Sequence, residues 1–230
     1  MPVSNFEKLL SILDVKFNDP GLLETAFTHR SYLNEVKEII ESNERLEFLG
    51  DAILQMITSS YLYKIRPGDA EGDLTNLRSY IVKTKSLAEA SEKLNLGSYL
   101  RLSNGEEVSG GRSNTQLLAN TFEALLGAIY LDQGILAAER LVYENLLPLF
   151  AAELKSGPPK DSKSELQEVV QTLEKESPHY KILKTSGPDH AKEFTVGVFV
   201  KGREVGVGKG LSKQAAEESA AAEALVKLQK

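Results

Sequence analysis

The stretch from Ser42 to Leu54, SNERLEFLGDAIL, decides how this chain is read. It has the apolar spacing of a helix, yet it carries three acids, Glu44, Glu47 and Asp51. At about 100° per residue the three acids share an arc of roughly 60°. Leu46, Leu49, Ile53 and Ile57 gather on the opposite side, as the core face of an amphipathic helix. By that pattern alone the acids are a solvated face. Phe48 departs from it, because it falls beside the acids and away from the core stripe. A large aromatic on a polar face suggests that this face meets something else, such as a second subunit.

A second segment complements the first. In LLANTFEALLGAIY, Leu117 to Tyr130, Asn120 and Glu123 interrupt an otherwise apolar run and lie three residues apart. That spacing makes them neighbours on one helical face. Two helices facing one another with oxygen ligands of this kind could hold Mg²⁺, which takes one or two carboxylates and keeps several waters.

Helical periodicity surrounds both segments. Phe6, Leu9, Leu10 and Leu13 follow the i, i+3, i+4, i+7 pattern, and similar patterns recur over 21–33, 73–93 and 135–153. The first part of the chain is expected to be all-α. KSGPPKDSKS, Lys155 to Ser164, breaks the pattern with two prolines and a glycine. Beyond it come a helix (SELQEVVQTLEK), three short β-branched or alternating runs (YKILKTSG, EFTVGVFVKG, REVGVGKG) and an alanine-rich helix opening on Ser212. The expected organisation is an all-α domain over 1–154, a linker over 155–160, and an α+β domain of order α-β-β-β-α over 161–230.

The bulk composition narrows the classes. The chain has 230 residues, 41% of them hydrophobic and 26% charged, so disorder is not the default. No run approaches the roughly 20 apolar residues of a membrane span. There are no cysteines, which excludes disulfides and thiolate metal sites. The opening MPVSNFEKLL lacks a basic region followed by an apolar run. A cytoplasmic location without a membrane partner is the expectation. Net charge is −6, and its distribution is uneven: residues 1–159 carry 15 basic and 22 acidic groups, whereas residues 161–230 carry 11 of each. The acidic excess sits in the first domain, where a cation site could use it.

Together these segments resemble the bacterial ribonuclease III family of double-stranded-RNA endonucleases. NERLEFLGDAIL is similar to that family's signature helix, and the likeness extends through AFTHRSY (26–32), EGDLTNLRSYIV (71–82), GGR (110–112) and FEALLGAIYLD (122–132). The region after the linker resembles the family's double-stranded-RNA-binding domain, with GPDH (187–190) and GLSKQAAEESAA (210–221) at the expected places. The resemblance implies a homodimeric phosphodiester hydrolase acting on duplex RNA rather than on a small molecule. It implies dependence on Mg²⁺, with Mn²⁺ able to substitute. It further implies products with 5′-phosphate and 3′-hydroxyl ends and short 3′ overhangs, and a part in processing ribosomal RNA and other structured precursors.

Residue by residue, the resemblance assigns catalytic roles to Glu44, Asp51, Glu71 and Glu123. It assigns metal ligation to Glu47, Asp51, Asn120 and Glu123, and a dimer contact to Phe48. It places Ser164, Gln167, Glu168 and Gln171 on a minor groove, Pro188 and His190 in the next one, and Ser212 and Lys213 at the phosphates between. The carboxylates suit the reaction, since divalent ions offset the repulsion between an anionic phosphate and its attacking nucleophile. His29 is expected to pack and hydrogen-bond rather than to act in catalysis.

Two departures from the family pattern stand out. Asn120 replaces the family's aspartate, keeping an oxygen but losing a charge. Retained cleavage is the favoured reading, and the alternative is a duplex-RNA-binding protein with reduced or absent cleavage. After Ser212 the chain offers Lys213, then Gln214 and Ala215, where the family has two or three basic residues. Fewer phosphate contacts imply weaker and less salt-sensitive binding.

Overall fold

A computed structural model of the chain describes residues 6–37, 40–158, 161–188 and 192–228. The chain divides after Pro158 into two compact units. The first is helical: α1 (Glu7–Leu13), α2 (Pro20–Ala26), α3 (Glu44–Ile65), α4 (Glu71–Ile81), α5 (Thr84–Lys93), α6 (Asn104–Val108), α7 (Thr115–Gln133), α8 (Ile135–Asn145) and α9 (Glu153–Ser156). The second contains α10 (Ser162–Glu174), β1 (His179–Ser186), β2 (Glu193–Val200), β3 (Arg203–Gly210) and α11 (Lys213–Leu228). The fold is thus all-α followed by α-β-β-β-α, as the hydrophobic periods indicate. Among the described residues no helix is long and apolar enough to cross a membrane.

The first unit is organised around α3 and α7. Leu46, Ile53, Leu54 and Ile57 of α3 are buried, and so is nearly every residue of α7 from Leu118 to Ile129 apart from Asn120 and Glu123. A 19-residue helix in which only Asn120 and Glu123 stay partly open between Leu118 and Ile129 is the centre of a bundle, with those two positions at its edge. Glycines let the two helices touch. A Cβ at Gly50 would lie 1.8 Å from the Glu123 carbonyl oxygen, and one at Gly127 would lie 2.4 Å from that of Leu46. Neither position accepts a larger residue without pushing the backbones apart.

Three periodic segments are subdivided more finely than their spacing predicts. The pattern over 73–93 breaks at Lys83, whose extended backbone (φ −66°, ψ 152°) separates α4 from α5. The pattern over 135–153 leaves the α-helix at Asn145, and Leu147–Phe150 continue as a 3₁₀ turn with Pro148 in its first turn. The pattern over 21–33 becomes α2 and a 3₁₀ turn, Arg30–Asn34, capped by the His29 side chain. The GGR motif has a structural use. Gly110 is left-handed (φ 84°), and Arg112 donates through one nitrogen to the carbonyls of Gly97, Ser98 and Leu100.

Lys155 and Ser156, expected in the linker, close α9, and Arg66 Nη1 donates to the Leu154 and Lys155 carbonyls at 3.1 and 2.8 Å. In the second unit the three strands form an antiparallel sheet in the order β1-β2-β3. Lys201 and Gly202, both at positive φ (48° and 74°), make the two-residue hairpin between β2 and β3. Helix α11 lies directly on β3: a Cβ at Gly208 would be 2.1 Å from Ala220 N and 2.4 Å from Ala216 O. The alanines of α11 and the alternate glycines of β3 are therefore two halves of one close contact, with Ala216, Ala220, Ala221 and Ala224 buried.

Candidate functional site

The α3–α7 crossing brings Glu44, Glu47, Asp51, Asn120 and Glu123 to the lining of one pocket of about 540 Å³, together with His29, Arg30, Asn43 and Phe48. Helix α3 begins on the first of the acids, Glu44, and α7 is started by Asn114, whose side chain accepts from the backbone N–H groups of Gln116 and Leu117. Because Gly50 sits against the Glu123 backbone, Glu47, about one turn before it, and Asp51, the next residue, line the same pocket as Asn120 and Glu123. Glu44 and Asp51 are exposed, whereas Glu47, Asn120 and Glu123 are half-buried.

The electrostatics follow from that crowding. Burial, reinforced by the negative charges of Asp51 and Glu47, pushes the Glu123 carboxyl up to about 7. Burial also raises Glu47, as do Glu44 and Asp51, while a hydrogen bond from the Asn120 side chain opposes the rise. An ionised carboxylate only accepts, so the Asn120 amide nitrogen faces Glu47. The Asn120 oxygen accepts from Gln116 Nε2 at 2.7 Å. With its oxygen taken by Gln116, the Asn120 amide has its nitrogen left to donate toward Glu47.

Among the described residues no group of three or more His, Cys, Asp or Glu side chains is drawn tightly enough to enclose an ion. The acids line an open pocket rather than a closed cage. That donor set fits a hard divalent cation, which needs few carboxylates and fills its remaining positions with water. The raised proton affinity of Glu123 fits it too, since burial and the neighbouring Asp51 and Glu47 gather negative charge there.

Phe48 is 82% exposed on the acid-bearing side of α3, and Met56 and Tyr63, at 53% and 76%, continue an exposed apolar stripe along the same helix. Glu71 is not among the residues lining the pocket; it is exposed at the first position of α4.

In the second unit Ser164, Gln167, Glu168 and Gln171 are all exposed on one face of α10. Ser164, Gln167 and Ser212 line a cleft of about 800 Å³ between α10 and the start of α11. Ser212 caps α11 by accepting from the Ala215 N–H at 3.1 Å. Lys213 is exposed, but Lys163, not Lys213, lines the cleft, where it pairs with Glu217 at 2.6 Å. Burial, with Glu217, Glu218 and Asp161 nearby, pushes the Tyr180 hydroxyl beneath that cleft up to about 12. Pro188 is exposed, and His190 lies outside the described residues.

Sequence reasoning passes over three residues that the site depends on, and gives a fourth, His29, only a packing and hydrogen-bonding role. Gly50 and Gly127 set the helix separation, and the one available signal is a glycine inside each apolar run. Gln116 orients Asn120 from one turn away, and His29 reaches the pocket from a loop before α3. The i, i+4 spacing of Gln116 and Asn120 is a signal for the first, and no periodicity marks the second.

Residues 19–149 match the family described as ribonuclease-III-like, and residues 162–228 match the double-stranded RNA binding motif. Ribonuclease 3 of Pelotomaculum thermopropionicum is 48% identical over 216 residues, covering 94% of this chain and 90% of that protein. Ribonuclease 3 of Streptococcus pyogenes is 44% identical over 231 residues, covering 98% of this chain and 99% of that protein. The nuclease domain of ribonuclease III from Campylobacter jejuni superposes with a TM-score of 0.59 at 40% identity, over 64% of this chain and 99% of that structure.

Proposed function

The chain belongs to the ribonuclease III family of double-stranded-RNA endoribonucleases, and from that premise we propose how its own residues carry out the cleavage. Residues 1–154 form the endonuclease domain, 155–160 the linker and 161–230 the RNA-binding domain. In the nuclease domain Glu47 and Glu123 hold a divalent cation, Mg²⁺ with Mn²⁺ as substitute. A cation bound there supplies Lewis acidity and neutralises charge accumulating on the phosphate.

Glu44 and Asp51, exposed at the mouth of the pocket, orient the attacking water, and Glu71 acts from α4 on the flanking strand. Asn120 does not add a fifth charge to Glu44, Glu47, Asp51 and Glu123; its amide steadies the Glu47 carboxylate in one orientation. Hydrolysis of the P–O3′ bond leaves 5′-phosphate and 3′-hydroxyl ends. Two such sites acting on opposite strands leave short 3′ overhangs, which requires a homodimer. The exposed stripe of Phe48, Met56 and Tyr63 supports that dimer, and one solved Campylobacter jejuni nuclease domain is described as having a region involved in dimer formation. Structured precursors such as ribosomal RNA, in the cytoplasm, are the proposed substrates.

In the second domain Ser164, Gln167, Glu168 and Gln171 face one minor groove and Pro188 and His190 the next, with Ser212 and Lys213 at the intervening phosphates. The single observation that carries the reading is the glycine-mediated crossing that sets Glu47 and Asp51 against Glu123. Incubation of an end-labelled RNA duplex with the protein over a Mg²⁺ titration tests it. Discrete duplex products with 5′-phosphate ends are expected. Binding without cleavage at high Mg²⁺ or Mn²⁺ would instead favour the second reading, a duplex-binding protein disabled by the neutral Asn120.

A further inference from the structure

Two residues that line the acid pocket are left unexplained by the metal-site reading. They are His29 and Arg30, and Arg30 Nη1 donates to Glu44 at 3.3 Å. The hydrogen bonds around His29 determine its protonation. The ring Nδ1 faces the Ser31 backbone N–H at 3.3 Å and the Ser31 hydroxyl at 2.9 Å. A backbone N–H can only donate, so Nδ1 must accept and carries no proton. The Ser31 hydroxyl in turn accepts from the Ser103 N–H at 3.0 Å, which leaves its own hydrogen free for Nδ1. Two donors converge on one ring nitrogen, so the imidazole is the neutral Nε2–H tautomer.

The loop bearing the ring is also tied down. The His29 N–H donates to the Arg101 carbonyl, and the Asn43 N–H, at the start of α3, donates to the Thr28 carbonyl at 2.8 Å. Burial lowers the ring's pKa in keeping with a neutral form. Beside it, the Arg30 guanidinium is 70% exposed and holds Glu44 only loosely, at 3.3 Å. An exposed pair of this kind exchanges partners at little cost.

Resting on the nuclease reading above, we propose that the His29 Nε2–H and the Arg30 guanidinium form a phosphate subsite. It would take a non-bridging oxygen of the RNA backbone at the cation end's edge. Glu44 would exchange its contact with Arg30 for a role at the cation when RNA arrives. A neutral N–H suits this place, since an imidazolium would compete with the cation for the acids while a donor without charge contacts only the phosphate.

The test uses His29→Asn, whose side-chain oxygen can still accept the Ser31 N–H but which has no donor where Nε2–H stood. With unfolding midpoint unchanged, kcat/KM for an RNA duplex should fall on the order of 10- to 100-fold, the effect of one lost hydrogen bond to a charged group. His29→Gln, which places an amide N–H near the Nε2 position, should recover part of the loss. Arg30→Gln should reduce the salt slope of cleavage by about one. Cleavage by His29→Asn at the wild-type rate would overturn the subsite.

If that variant fails to fold, the wild-type protein decides the matter. In ¹⁵N-histidine spectra with Ca²⁺ in place of Mg²⁺, His29 should show the Nε2–H tautomer, and its Nε2 signal should move on adding duplex. The Nδ1–H tautomer, or a signal that ignores RNA, refutes the proposal. Duplex binding without any cleavage by wild type would refute the nuclease reading alone, and the same titration would still judge the subsite.

Discussion

Replacing Glu123 with glutamine should make the metal-free protein more stable while abolishing cleavage. The wild-type carboxyl ordinarily titrates at 4.5 and here at about 7, raised first by burial and then by Asp51 and Glu47. Each tenfold change in a proton equilibrium is worth about 1.4 kcal/mol, which bounds the destabilisation at ~3.4 kcal/mol. Glu123 keeps partial contact with water, and that screening leaves about 1–2 kcal/mol.

The sign follows from proton counts. Between pH 4.5 and 7 the folded state holds a proton that the unfolded chain has released, so stability falls as pH rises through this window and levels off above it. Glutamine does not titrate, so its advantage is small at pH 5 and full at pH 8. For a chain of this size the gain at pH 8 corresponds to roughly 2–8 °C in the first unit's unfolding midpoint. Scanning calorimetry in EDTA at the two pH values reads it directly. Mg²⁺ added at pH 8 should raise the wild type more than the variant, because only the wild type regains a counter-charge. A glutamine variant that is less stable at pH 8, or equally stabilised at both pH values, would refute the account of a crowded acid site.

Other perturbations probe the same geometry. Gly50→Ala sets a methyl 1.8 Å from the Glu123 carbonyl, so it should destabilise the first unit by about 3 kcal/mol or more and weaken divalent binding, both measurable by calorimetry. Asn120→Asp removes the donor to Glu47 and adds a charge; metal-free stability should fall and Mg²⁺ affinity rise, and unchanged metal-free stability by calorimetry would contradict the steadying role. Ser212→Ala loses the cap on α11 and should lower stability of the second unit by about 1 kcal/mol, followed by circular dichroism. Lys213→Ala should weaken duplex binding across all sequences and reduce the slope of log K against log salt by about one, read by fluorescence anisotropy.

Periodicity alone distinguishes the helical first unit from the α-β-β-β-α second, because burial of one face imposes a 3.6 or a 2 repeat on the residues themselves. It also puts Glu44, Glu47 and Asp51 on one face and Phe48 beside them. The breaks at Lys83 and Pro148 are less legible, since a segment can keep helical spacing across a kink when both halves face the same core. Which helix meets the acid stripe is not local information at all. Asn120 and Glu123 lie some seventy residues away, and only the approach of α3 to α7, permitted by Gly50 and Gly127, brings them into one pocket. The tautomer of His29 is likewise a tertiary fact in part, for the Ser31 hydroxyl that meets it is oriented by the distant Ser103 N–H, and the Asn120 amide, turned by its i, i+4 neighbour Gln116, finds Glu47 only across the helix crossing. Sequence determined the faces and the chemistry they carry; the tertiary structure decided which faces meet, because hydrogen bonds and desolvation depend on distances that chain order does not encode.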